Sequence, residues 1–259
     1  MFLTRIESRI SHTEPPSSHP SGSTRRLAQM ENVPDRMDEI KLEFREIDYD
    51  KDFDAVLALY VRAFSDQKMF LNLSLSTPEQ HKHFMTWLTA RRLDLLARRK
   101  DVTSILLGLQ DGRIVAAVGM EPHSTKFTLY DQICVGFLLL PFKFGLGVLH
   151  RVMALDSKNT VAIADTAVDE LGAKVTLMAV EPELHGKGIG GQLIRKRIEL
   201  WDAEGRGELS LLTQLESNTK FYSKYGFDVM SVEERDGYTN WIMRRLKPSP
   251  PSESGHPTL

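Results

Sequence analysis

The chain has 259 residues, 41% hydrophobic and 26% charged, with a formal net charge of −2 and a pI near 6.5. These ordinary globular values exclude a chain built mainly to neutralise nucleic-acid phosphate, which needs concentrated basic charge. One cysteine, Cys134, excludes an intrachain disulfide and suits a reducing compartment, and no Cys or His spacing suggests a metal site.

Residues 1–37 are rich in Ser, Pro and Arg without a repeating apolar face, and a disordered extension is expected there. Arg5, Arg9, Arg25 and Arg26 among serines also fit a mitochondrial leader. Glu7, Glu14 and the Pro15-Pro16 pair count against an amphipathic import helix, so a cytoplasmic location is expected. A single domain is expected over 38–246. It opens with an alternating strand, Leu42 to Ile47. Val56, Leu59, Tyr60, Ala63 and Phe64 then recur at the spacing of one buried helical face, with Asp50, Asp52 and Asp54 near the favoured N-terminus. Thr77-Pro78-Glu79 reads as an N-cap followed by Pro at the first helical position, starting a helix to about Arg99. Its Arg91, Arg92, Arg98, Arg99 and Lys100 suit a solvated helix end or the attraction of an acidic substrate.

Thr103 to Leu109 and Ile114 to Met120, joined at Gln110-Asp111-Gly112, predict a central antiparallel hairpin. Ile133 to Leu149 is the least polar stretch, but Pro141 and Lys143 interrupt it and it falls short of the ~20 residues a membrane span needs. It is read as facing the core or, through Phe137, Phe142 and Phe144, an apolar substrate. A helix from about Ser157 to Leu171 leads to the next strand.

Val175 to Gly191, VTLMAVEPELHGKGIGG, is an apolar run, a Pro turn and then Gly186, Gly188, Gly190 and Gly191 opening a helix. Glycines let backbone N–H groups approach an anion, and a helix start adds unpaired N–H groups and its positive dipole end. The phosphate loop of ATPases fits poorly, because Gly186-Lys187 is followed by Gly188 rather than Ser or Thr. Gly186, Gly188 and Gly191 match the dinucleotide pattern G-x-G-x-x-G, with Glu216 as a ribose partner, but too little chain follows for the rest of a doubly wound sheet. Lys187, Arg195, Lys196 and Arg197 supply positive charge for a ribose phosphate or for a solvated face. A second buried strand, Leu209 to Leu215, precedes a short helix, Ser217 to Tyr225, closed by Gly226. Asp228 to Glu233 and Asn240 to Leu246 form a last hairpin through Asp236-Gly237, and 247–259 is expected to be a disordered tail.

The strand Val175 to Val180, the loop His185-Gly186-Lys187-Gly188-Ile189-Gly190, the segment LSLLTQLESN and the segment FYSKYGF together resemble the core of the GNAT superfamily of N-acetyltransferases. One departure is His185, where the family usually has Gln or Arg. The resemblance implies an α/β fold with a mixed, mostly antiparallel central sheet flanked by helices, and parallel strands that splay at the cofactor site. It implies acetyl-CoA as co-substrate, its pantetheine arm beside Met178, Ala179 and Val180 and its pyrophosphate on His185, Gly186, Lys187, Gly188, Ile189, Gly190 and Gly191. Asn218 matches an Asn that bonds the pantetheine or the strand end, and serves equally as a helix cap. Tyr222 stands where relatives place a Tyr that meets the cofactor sulfur, and a backbone N–H near Val180 is the implied oxyanion donor.

Acyl transfer also needs a base. Glu181, acting through a water, is one candidate; Asp131, His150 and Asp169 are others. The function so implied is direct acetyl transfer to a small amine or amine-bearing metabolite by a monomer or homodimer, with no nucleic acid and no membrane span. Two alternatives stand: a catalytically weak acyl-CoA-binding protein and a nicotinamide-dependent oxidoreductase.

Overall fold

The apolar stripes of the sequence converge on the two faces of one sheet in the computed structural model, which describes residues 40–246 except 72, 74–76, 165–170 and 236. The extension expected over 1–37, the tail expected over 247–259 and Asp169 lie outside the described residues.

Elements run β1 (Glu43–Glu46), α1 (Tyr49–Phe64), α2 (Lys68–Leu71), α3 (Pro78–Arg98), β2 (Ser104–Gln110), β3 (Arg113–Pro122), α4 (Leu129–Cys134), α5 (Leu140–Phe144), α6 (Leu146–Ala164), β4 (Ala173–Val180), α7 (Ile189–Ala203), β5 (Leu209–Thr213), α8 (Glu216–Ser223), β6 (Asp228–Arg235) and β7 (Tyr238–Arg245). The sheet order is β1-β2-β3-β4-β5-β7-β6. Only β4 and β5 are parallel neighbours; the other pairs are antiparallel.

Local chemistry sets several boundaries. Asp48 caps α1 by accepting from the Asp50 N–H, and Thr77 caps α3 by accepting from the Gln80 N–H with Pro78 just inside. Asp111 and Gly112, at φ 51° and 76°, make the left-handed pair that closes the β2–β3 hairpin.

One sheet face buries Val56, Leu59 and Phe64 of α1 and Phe84, Leu88 and Leu96 of α3. The other buries Leu193, Ile194 and Trp201 of α7 with Tyr222 of α8. On β4, Ala173 and Val175 face α7, yet so do Met178 and Val180, while Leu177 and Ala179 face α1. The parity changes because β4 carries an extra residue against β3, where Ala117 pairs with Ala179 but Gly119 pairs with Thr176. Leu177 sits in this bulge at φ 50°.

Gly119 is the close-approach point beside the bulge: a Cβ there would lie 2.8 Å from Thr176 Oγ1 and 3.1 Å from its carbonyl oxygen. Gly119→Ala is expected to destabilise by about 1–3 kcal/mol through overpacking against backbone. Urea unfolding monitored by circular dichroism checks this, and an unchanged midpoint would contradict the close approach.

Two expectations are corrected. The helix before β4 begins at Leu146, not near Ser157. The apolar stretch from Ile133 to Leu149 is divided among the end of α4, the turn Phe137–Leu139, α5 and the start of α6, and although Phe137 and Phe144 pack against the core, Phe142 is 86% exposed.

Candidate active site

The bulge in β4 lies in the part of the strand that has left its parallel neighbour. Beyond Ala173 and Lys174, which pair with Leu209 and Ser210, β4 and β5 share no further rungs. The strands diverge toward their C-terminal ends, as the resemblance implied. On its other side β4 stays bonded to β3: the Glu181 N–H donates to the Val115 carbonyl at 2.8 Å, and Ala179 pairs with Ala117. The alternation of an antiparallel ladder therefore turns the Val180 backbone toward the gap, while that of Ala179 is taken up by β3.

The glycine loop closes the same end. Gly188, at φ 79°, is the N-cap of α7 and offers no side-chain cap. The first bond of the helix runs from the Gln192 N–H to the Gly188 carbonyl, so the N–H groups of Ile189, Gly190 and Gly191 have no acceptor within it. A Cβ on Gly186 or Gly188 would meet nothing within 4 Å, so the loop borders open space rather than packed protein. Gly191 differs: a Cβ there would come within 2.5 Å of the Tyr225 hydroxyl oxygen. Tyr225 thus stands at the cradle, a neighbour the sequence reading missed although it lies three residues beyond Tyr222. Unpaired N–H groups, a helix dipole and unfilled space make a fit for a pyrophosphate.

His185 turns its Nε2 to the Val180 carbonyl at 3.0 Å. The residue that departs from the family pattern therefore ties the loop to the strand end. Of the cations near the loop, Lys187 and Arg195 are exposed and Lys196 lies 3.6 Å from Glu199. Arg197 is buried, bonded to Glu46 at 2.7 Å and to Ser104, so it faces the sheet rather than a ligand.

On the α8 side, Tyr222 is fully buried among Phe221 and Phe227, and its hydroxyl donates to Met178 Sδ at 3.4 Å. Asn218 Nδ2 donates to Thr213 Oγ1 at 2.9 Å, tying α8 to the end of β5. Met178, Val180, His185 and Tyr222 are thus brought together around the splayed end.

Glu181 goes to the other sheet face. Its carboxylate accepts from Arg62 Nη2 at 2.6 Å and lies 3.5 Å from Arg113 Nη2, contacts 119 and 68 residues away in sequence. Asp131 closes a capping box with Thr128, whose backbone bond holds its carboxyl below the usual range, and lies 3.5 Å from Arg98. His150 is exposed on α6.

This arrangement defines an α/β protein of the GNAT acetyltransferase fold. In solved structures the fold is matched by a histone acetyltransferase HPA2 and related acetyltransferase from Corynebacterium glutamicum, at 14% identity and a TM-score of 0.53, over 81% of this chain and 98% of that one. PaiA N-acetyltransferase from Thermoplasma acidophilum, crystallised with coenzyme A, is similar at 14% identity and a TM-score of 0.49 over 80% of this chain and 99% of that one. Polyamine N-acetyltransferase from Drosophila melanogaster gives 15% identity and 0.49 over 80% and 100%. No curated protein matches the sequence significantly. Residues 149–229 match the family model described as an acetyltransferase (GNAT) domain. Over that segment the chain is similar to the GNAT acetyltransferases, a class whose co-substrate is acetyl-CoA.

Proposed function

We propose that this protein is an N-acetyltransferase that moves an acetyl group directly from acetyl-CoA to a small amine or amine-bearing metabolite. The observation that carries the reading is the parting of β4 from β5 beside the uncapped start of α7, which sets a backbone-lined gap next to an anion cradle.

Acetyl-CoA supplies an activated acyl group, a thioester whose thiolate is a leaving group of pKa about 8.5. Gly186, Lys187, Gly188, Ile189, Gly190 and Gly191 hold its pyrophosphate through backbone N–H groups. His185 keeps the loop against Val180, and Asn218 holds α8 to the end of β5, so the strand end and the helix keep their separation. The gap beside Met178 and Val180 takes the pantetheine arm as an added strand would be taken. The Val180 N–H, fixed by the ladder to β3, meets negative charge developing on the carbonyl oxygen. The Tyr222 hydroxyl, now on Met178 Sδ, turns to a departing sulfur and gives it a proton. Glu181 takes the proton of the acceptor amine through a water, and Arg62 keeps that carboxylate oriented.

The first experiment is calorimetric titration with acetyl-CoA and, separately, with NADH, followed by an amine panel read by thiol release. Heat and turnover with acetyl-CoA are expected. Binding without turnover on any amine would leave an acyl-CoA-binding protein, and heat with NADH alone would refute the site.

Tyr222→Phe tests the acid. It keeps the buried ring, so kcat is expected to fall about 10- to 100-fold while KM for acetyl-CoA stays within about threefold. An unchanged kcat would reduce Tyr222 to a packing residue.

A further inference from the structure

The segment between β3 and β4 has two unlike faces. Inward, Leu140 and Val148 are buried, and Phe137 and Phe144 meet Trp87 and Phe84 of α3 edge-on, with ring centroids 5.8 and 5.1 Å apart. Outward, Leu129, Tyr130, Leu138, Phe142 and Leu146 are each more than half exposed. The elements that carry them are neighbours in space as well as in sequence, since α4 packs on the turn Phe137–Leu139, that turn on α5, and α5 on α6. An apolar surface shared by several consecutive helices marks an interaction site.

Charge identifies what it meets. Between His123 and Leu155 the only acid is Asp131, which is occupied by Thr128 and Arg98, whereas Lys126 and Lys143 are exposed. Folding adds the basic end of α3 to the same rim. Arg98 lies 5.6 Å from the centroid of the Tyr130 ring, and Arg99 donates to the Lys126 carbonyl at 2.9 Å. A second copy of the chain related by a two-fold would bring this cationic rim against itself. An anionic bilayer surface matches both parts, taking the apolar side chains below the headgroups and the cations among them. No helix among the described residues is long and apolar enough to cross a membrane.

We propose that α4, α5 and α6 form a peripheral docking face for anionic membranes, inserting Leu129, Phe142 and Leu146 with Lys126, Lys143 and Arg98 at the headgroups. Cys134, exposed on α4 and the chain's only cysteine, gives a direct readout. The full chain labelled there with a polarity-sensitive fluorophore is mixed with vesicles of phosphatidylcholine alone or with phosphatidylserine added, and sedimented.

Expected are partition and a blue shift with phosphatidylserine vesicles, weakened by salt. A Phe142→Glu, Leu146→Glu variant should partition at least about tenfold less, because two apolar side chains become charged. A Lys126→Glu, Lys143→Glu variant should lose about fivefold or more per site on anionic vesicles only. Both sites are exposed, and an unchanged thermal midpoint with retained acetyl-CoA heat verifies each variant's fold. Equal partition into neutral vesicles, no partition at all, or a concentration-dependent doubling of mass that the Phe142→Glu, Leu146→Glu variant abolishes would each overturn the proposal.

Discussion

A Gly188→Glu variant is expected to bind acetyl-CoA at least about 100-fold more weakly than the wild type, a loss of about 2.7 kcal/mol. Gly188 caps α7 at φ 79°, and a Cβ built on it points into open space rather than protein. A carboxylate placed there enters the region that the free N–H groups of Ile189, Gly190 and Gly191 serve. It satisfies those donors itself and repels a pyrophosphate. At an effective dielectric of about 20, like charges 4 Å apart repel by about 4 kcal/mol, and solvent reduces this at an open loop. Gly188→Ala is the control. It carries only the left-handed backbone cost of about 1–2 kcal/mol, which falls on folding, and should bind nearly as the wild type does. Calorimetry on both, with thermal melts to verify folding, decides the matter: a glutamate variant within threefold of wild type would mean the anion is not held here.

Removing the Arg92 guanidinium is expected to be among the most destabilising single changes, at about 3–5 kcal/mol. Arg92 on α3 and Glu121 at the end of β3 are both buried and ion-paired, and Arg92 also lies 4.9 Å from the Phe127 ring centroid. Arg92→Ala leaves a buried carboxylate without its partner. The thermal midpoint should drop by roughly 10 °C for a domain of this size. An Arg92→Met, Glu121→Met double variant should recover most of the loss, because an apolar pair of similar volume carries no desolvated charge. If the double variant were as unstable as Arg92→Ala, the pair would be contributing more than its own neutralisation.

The same pair gives a pH dependence. Burial opposes ionisation of Glu121, but the charges of Arg92 and Lys174 and the Arg92 hydrogen bond outweigh it and hold the carboxyl below its ordinary range. A depressed carboxyl stabilises the fold fully above the unfolded value of about 4.3, and the contribution is lost as pH falls through the folded value. Glu121→Gln should flatten the acid limb of the stability curve.

The sequence alone determined what short-range chemistry dictates. The Asp111-Gly112 turn set the β2–β3 hairpin, Thr77-Pro78 set the start of α3, and the glycine loop set the start of α7, because each depends on backbone preferences within a few residues. The order of strand, loop, helix and strand around Val175 to Val229 was enough to indicate the GNAT resemblance, which the family model matches over 149–229. Tertiary structure decided the rest. The bulge at Leu177 has no local signal, since leucine disfavours positive φ and adopts it here where β3 and β4 are in register on both sides. Arg197 lies in a basic stretch yet turns to Glu46, 151 residues away, and Glu181 joins Arg62 from 119 residues away. Phe142 reads as core by composition, and only the packing of Leu140 and Phe144 around it sends it outward. Turns and caps are decided by neighbours in sequence, whereas burial, ion pairing and the aim of a strand end depend on contacts that exist only once distant segments meet.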